Sequence, residues 1–219
     1  MTQESLYVRR KPSYSAKLLE LAPESFKAFG EFNKQALSAG ALTVKQKELI
    51  AVAATHITGC PYCIEAHVGK AKAQEASLAE LLEAIAIAAA VSAHGVVHHA
   101  ANAAQAYESA DGQDLYPISN IALNGQLQHG NPDQFASFGA YVEQVLLPGH
   151  LNAKDKQLVA LGSALVIGNA YSIDSFTESA KQAGVSLQEV TETLLVAAAL
   201  KAGASLAHRV NALQAYDKE

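Results

Sequence analysis

The chain has no tryptophan, one methionine, two cysteines and six prolines in 219 residues, and only 17% of it is charged. So few prolines, with no tryptophan, fit packed helices better than the turn-rich strands of a sandwich or barrel. Basic residues are outnumbered 16 to 21, and the pI is about 5.9. A broad nucleic-acid footprint needs clustered lysine and arginine, so none is expected. Long apolar runs are missing too, since none reaches the roughly 18–20 residues that cross a bilayer. The nearest, LLEAIAIAAAVSA, contains Glu83 and runs into the polar HGVVHHAANAAQ. The N-terminus, MTQESLYVRRKPSYSAK, lacks the apolar centre and cleavage site of a signal peptide. The expectation is a cytoplasmic protein with no membrane partner. In that reducing compartment, two close cysteines point to metal binding or catalysis more than to a structural bridge.

Half of the chain is apolar, much of it alanine, and the chain repeats itself. Shifted by 109 positions, Pro23–Glu108 aligns without gaps on Pro132–Asp217, with roughly thirty identities in 86 positions. PESFKAFGEFNKQALSAG falls on PDQFASFGAYVEQVLLPG, and HHAANAAQAYE on AHRVNALQAYD. Two copies of one unit are present, whereas a solenoid needs at least three.

Each copy reads as helices. Pro23 and Pro132 suit a first turn, and Gly40 and Gly149 follow as stop signals. Thr43 caps a helix running to about Thr58 that ends at Gly59. Pro61 opens the next, with Cys60 at its N-cap and Cys63 in its first turn. SLAE (Ser77, Glu80) and SLQE (Ser186, Glu189) are capping boxes for a further long helix. The expected organisation is an arm over 1–22, a first repeat over 23–108, a linker over 109–131 and a second repeat over 132–219. The turn residues of that linker gather in SADGQDLYPIS. The fold class is all-α, with two tandem units of about 86 residues packed as one body.

The second copy serves as an internal control. Phe26, Phe29, Gly30, Leu37, Leu42, Leu49, Gly59, Ile64 and Leu78 recur in it, as positions that hold the fold should. The stretch around the cysteines does not. Glu48 faces Gln157, Cys60 faces Asn169, Cys63 faces Ser172 and His67 faces Phe176. The helices therefore form without this set, which weakens a packing explanation for it.

Chemically, a Cys-x-x-Cys pair at a helix start brings two sulfurs within disulfide reach, and the helix N-terminus favours thiolate. His67 lies four residues after Cys63, on the same helix face. Glu48, twelve positions before Cys60, can fold back over the pair through the Thr58–Gly59 bend as a general base. His56 and Tyr62 flank the site as accessory candidates. A metal site is a rival, with Cys60, Cys63 and His67 joined by His94, His98 or His99. His99 matches His208 of the cysteine-free copy, which favours a structural or interface role for it. CPYC is also a glutaredoxin string, but that fold would put a strand before it, and the flanks here are helical. A structural disulfide closing so short a loop would remove little chain entropy. An inert scaffold remains a further reading. In the leading arm, Tyr7, Arg9, Arg10 and Tyr14 could contact substrate or another subunit, and nothing in the sequence chooses.

Glu48, Cys60-Pro-Tyr-Cys63 and His67, at these spacings on a helical background, resemble the alkylhydroperoxidase D-like (AhpD-like) branch of the carboxymuconolactone decarboxylase superfamily. The resemblance covers most of the chain, since both copies look like that family's helical unit. It implies a thiol peroxidase of peroxiredoxin type, with Cys63 peroxidatic, Cys60 resolving, and Glu48 and His67 relaying protons. It implies no cofactor beyond the Cys60–Cys63 dithiol, and a hydroperoxide as substrate. Dihydrolipoamide or a thioredoxin-like protein would be the donor, and the chain a homo-oligomer, a trimer or dimer. The best-known members carry a histidine between the cysteines where this chain has Tyr62, so a shorter relay is expected. The lactone decarboxylases of the superfamily lack the dithiol, which tilts the expectation to redox chemistry.

Overall fold

A computed structural model describes residues 23–108 and 117–208, with Ala16, Glu20 and Tyr216 besides; for 99–108 and 118 it describes the backbone only. The leading-arm candidates Tyr7, Arg9, Arg10 and Tyr14 lie outside the described residues. The first repeat comprises α1 (Pro23–Leu37), α2 (Val44–Thr58), α3 (Pro61–Ala73) and α4 (Leu78–Glu108). A 3-10 helix (Ile118–Leu123) and a short α5 (Asn124–Gly130) follow, and both lie against α4. The expected linker is thus largely helical from residue 118, with 109–116 outside the described residues. The second repeat comprises α6 (Pro132–Leu146), α7 (Ala153–Ile167), α8 (Ala170–Gln182) and α9 (Leu187–Ala207). Among the described residues there is no strand.

Local signals set the helix boundaries. Thr43 Oγ1 accepts the Gln46 N–H at 3.2 Å, and the Gln46 side-chain oxygen Oε1 accepts the Thr43 N–H at 2.9 Å. Gly59 ends α2 at φ +64° and Gly168 ends α7 at φ +79°, a backbone conformation that glycine adopts without a Cβ clash. Ser77 with Glu80, and Ser186 with Glu189, close the expected capping boxes.

The two repeats interlock about an approximate two-fold axis. Gln46 Nε2 donates to Asp155 Oδ1 at 2.7 Å, and the two residues are counterparts 109 positions apart. Helices α2 and α7 pack on each other and are covered by both long helices, α4 and α9. That enclosure explains why both are apolar on almost every side. Their close approach depends on Gly162, where a Cβ would stand 2.6 Å from Ile50 Cγ2. The outer helices are exchanged: α1 and α3 rest on α9 of the other repeat, while α6 and α8 rest on α4.

Carboxylates stitch the exchange. Glu192 of α9 accepts the N–H groups of Ala41 at 2.7 Å and Leu42 at 2.9 Å, and Lys47 Nζ lies 2.9 Å away. Its counterpart Glu83 accepts from His150 at 2.8 Å and Leu151 at 2.7 Å, with Lys156 Nζ at 3.4 Å. Burial pushes both carboxyls up, but the N–H donors and the lysines outweigh it and hold both below the usual carboxylate range. Gly40 and Gly149 do more than stop a helix, because a Cβ on either would collide with the carboxylate of Glu192 or Glu83.

Two expectations need correction. Leu78 and Leu187 recur between the copies but are 72% and 82% exposed, so their recurrence does not mark the core. The other concerns apolar length. Leu78–His98 and Leu187–Ala207, each 21 residues at mean hydropathy 1.6 and 1.4, are long and apolar enough to cross a membrane by length and composition. Alanine, leucine, isoleucine and valine supply the apolar character of both stretches. In the bundle both helices pack against several others, and such contacts demand the same composition.

Candidate functional site

The first repeat's site is built from three helices, one of them belonging to the second repeat. The α2–α3 bend at Gly59 places Cys60 as N-cap of α3, where its Sγ accepts the Cys63 N–H at 3.3 Å. The two sulfurs are joined as a disulfide. The bend also turns α3 back along α2, so that Glu48 Oε2 accepts from His67 Nδ1 at 2.7 Å across 19 residues. Glu48 and His67 are 3% and 7% exposed. A carboxylate can only accept, so it fixes the proton on Nδ1 and leaves the lone pair of a neutral imidazole on Nε2. His67 is one turn beyond Cys63 and shares its helix face. Cys60 is fully buried, whereas Cys63 retains 9% exposure.

The cover over the sulfurs was not legible in the sequence. Ala204 and Ala207 of α9 pack on Cys60 and Cys63 beside Tyr62. The Tyr62 ring meets that of His208, the C-cap of α9, edge-on at 6.0 Å. His56 turns away, its Nδ1–H donating to the Val52 carbonyl at 2.7 Å.

His94 and His98 do not join the cysteines, contrary to the rival in which they complete a metal site. Helix α4 crosses the other repeat's pocket, and there His94 Nδ1 lies 2.9 Å from Ser172 Oγ. Its ring stacks on His98 at 3.8 Å and packs on Phe176 at 5.0 Å. Asn169, the counterpart of Cys60, donates to the Gly95 carbonyl at 3.0 Å. No cluster of three or more histidine, cysteine or carboxylate side chains suited to a metal ion occurs among the described residues.

His67 has a carboxylate partner, whereas His94 faces Ser172, Phe176 and His98. Burial, and then the neighbouring His98, lower His94 from 6.5 to about 4. A histidine kept neutral on folding contributes stability in full above its unfolded pKa and loses it as pH falls below that value. Between pH 7.5 and 4.5 the loss from this residue should be about 2–3 kcal/mol. Urea unfolding of wild type and His94→Gln at both pH values checks it; parallel pH dependence in the two proteins would refute the assignment.

The sequence profile of the carboxymuconolactone decarboxylase family matches residues 23–106 and again residues 132–215. An 85-residue stretch is 40% identical to "Uncharacterized protein 4 in cox locus" of Paracoccus denitrificans, spanning 39% of this chain and 77% of that protein. No solved structure matches. Matched through both of its helical repeats, the chain belongs to the carboxymuconolactone decarboxylase family.

Proposed function

We propose that this protein is a thiol peroxidase of the alkylhydroperoxidase D-like kind, with one dithiol site per chain. The observation that carries the reading is the buried Glu48–His67 pair, one helix turn from the disulfide and present in one repeat only. In the reduced state His67 Nε2 takes the Cys63 thiol proton. The thiolate attacks the outer oxygen of a hydroperoxide, the O–O bond breaks, and the departing alkoxide recovers the proton as an alcohol. Cys63 is left as a sulfenic acid. The Cys60 thiol then attacks Cys63 Sγ, expelling water and closing the disulfide. An external dithiol, dihydrolipoamide or one on a thioredoxin-like protein, attacks the more exposed Cys63, and Cys60 leaves as a thiolate steadied by the Cys63 N–H. The cycle is completed when the donor becomes a disulfide and both cysteines regain their protons.

The reading includes a cytoplasmic setting and a homo-oligomer of two or three chains. Exposed Leu78, Leu82, Leu187, Leu194 and Leu195 support association. The test is intact mass after alkylation of reduced protein exposed to peroxide. Wild type should lose both alkylatable thiols rapidly, and Cys60→Ser should trap a sulfenic acid on Cys63. Cys63→Ser should keep its remaining thiol. Wild-type thiols that survive peroxide would end the proposal.

A further inference from the structure

Compared position by position, the first repeat's site is more open than its counterpart in the second. Cys63 and His67 retain 9% and 7% exposure, where Ser172 and Phe176 retain 0% and 3%. The tyrosine before each pair differs in the same direction. Tyr171 is 2% exposed, and its hydroxyl donates to the Pro117 carbonyl at 3.3 Å. Tyr62 is only partly buried and packs on the cysteine cluster. Its ring meets that of His208 edge-on, with centroids 6.0 Å apart and planes at 72°. Tyr62 stands in the first turn of α3 and His208 is the C-cap of α9, so each repeat supplies one half of the contact. Of the apolar residues packed on the cysteines, Ala204 and Ala207 have only methyl groups fixed to the backbone. Tyr62 has a side chain that turns about its own torsions.

We propose that Tyr62 and His208 form the entrance to the dithiol, an aromatic pair that determines which reagents reach Cys63 by their size. Tyr62 swings aside only by giving up the His208 ring, and an edge-to-face contact of this kind favours the closed arrangement by about three- to tenfold. A small thiol or hydroperoxide passes with little displacement of the rings, whereas a bulky one needs the pair apart. In the second repeat the equivalent tyrosine is fastened to a backbone carbonyl, and the site beneath it has no cysteines to serve. The entrance deepens the thiol chemistry proposed above by adding the control of access to it. His208 enters as a specificity-determining residue contributed by the repeat that lacks the dithiol.

Reduction of the Cys60–Cys63 disulfide in the full chain reads the entrance without any peroxide. One thiolate attacks Cys63 Sγ and Cys60 leaves as a thiolate; a second thiol resolves the mixed disulfide, so the protein gains two electrons and two protons and the reagent becomes a disulfide. Rates are compared per thiolate for 2-mercaptoethanol, the small probe, and glutathione, the bulky one. His208→Ala, which keeps the backbone cap of α9, should raise the glutathione rate about three- to tenfold and the 2-mercaptoethanol rate twofold or less. Tyr62→Phe keeps the ring and should match wild type. Tyr62→Ala should raise the glutathione rate at least as far as His208→Ala, and combining the two should add nothing, because the rings act as one unit. If Tyr62→Ala does not fold, His208→Ala and Tyr62→Phe decide. A folded His208→Ala with wild-type rates would overturn the proposal. So would an equal rise for both thiols, which marks general loosening, or a double variant in which the two effects multiply. Thiols that survive peroxide while these rates change as expected would remove the peroxidase reading and keep the entrance, so the two failures are distinguishable.

Discussion

Glu192→Ala should lower the free energy of unfolding by about 3–5 kcal/mol, a large share of the roughly 5–15 kcal/mol typical of a folded domain. The change strands Lys47, which is 3% exposed and would keep only the Ser38 carbonyl at 2.7 Å. It also leaves the Ala41 and Leu42 N–H groups without the acceptor that now serves both. An unpaired buried ammonium is the larger part of the cost, because removing one partner of a buried pair keeps the desolvation and loses the attraction. Glu83→Ala should act in the same direction but more weakly, since Lys156 Nζ stands 3.4 Å from Glu83 while Lys47 Nζ stands 2.9 Å from Glu192. Urea unfolding of both variants, with a Glu192–Lys47 double-mutant cycle, reads the effect and its coupling. A Glu192→Ala cost below about 1 kcal/mol, the range of an exposed pair, would refute it.

Glu48→Gln should slow peroxide-dependent loss of the thiols by about a hundredfold, the usual scale for a positioned acid–base group. The second repeat supplies the precedent for the substitution, because Gln157 is the natural residue at the equivalent place. Glutamine keeps the length and an oxygen for the His67 Nδ1–H, but it removes the negative charge that, in the proposed cycle, would stabilise the imidazolium formed when His67 takes the thiol proton. The helices should stay intact, as α7 does with Gln157. The pH profile of the oxidation rate separates this role from a structural one: the Glu48→Gln profile should shift as well as drop. Unchanged melting with an unchanged rate would remove Glu48 from the relay.

The duplication, most helix boundaries and the return of Glu48 toward the cysteines were legible in the sequence. Caps at Thr43, Cys60, Ser77 and Ser186 are local chemistry within three or four residues. The Glu48–His67 contact follows from one bend at Gly59 joining two helices of known pitch. What the sequence could not show was which surfaces meet between the repeats. His94 and His98 looked available to the cysteines because they share a chain with them, yet α4 lies across the other repeat's site and delivers His94 to Ser172, with His98 stacked on it. For the same reason Ala204 and Ala207, unremarkable within an alanine-rich helix, turn out to roof the dithiol. Leu78 and Leu187 make the opposite case, alike in sequence but facing outward. Short-range hydrogen bonding and helical period decide where each element begins and which residues share its face. Only the packing of two apolar, nearly featureless helices, α2 and α7, against each other decides which repeat covers which site. That choice depends on shape over distances of a hundred residues, on a glycine at 162 and on two carboxylates reaching across.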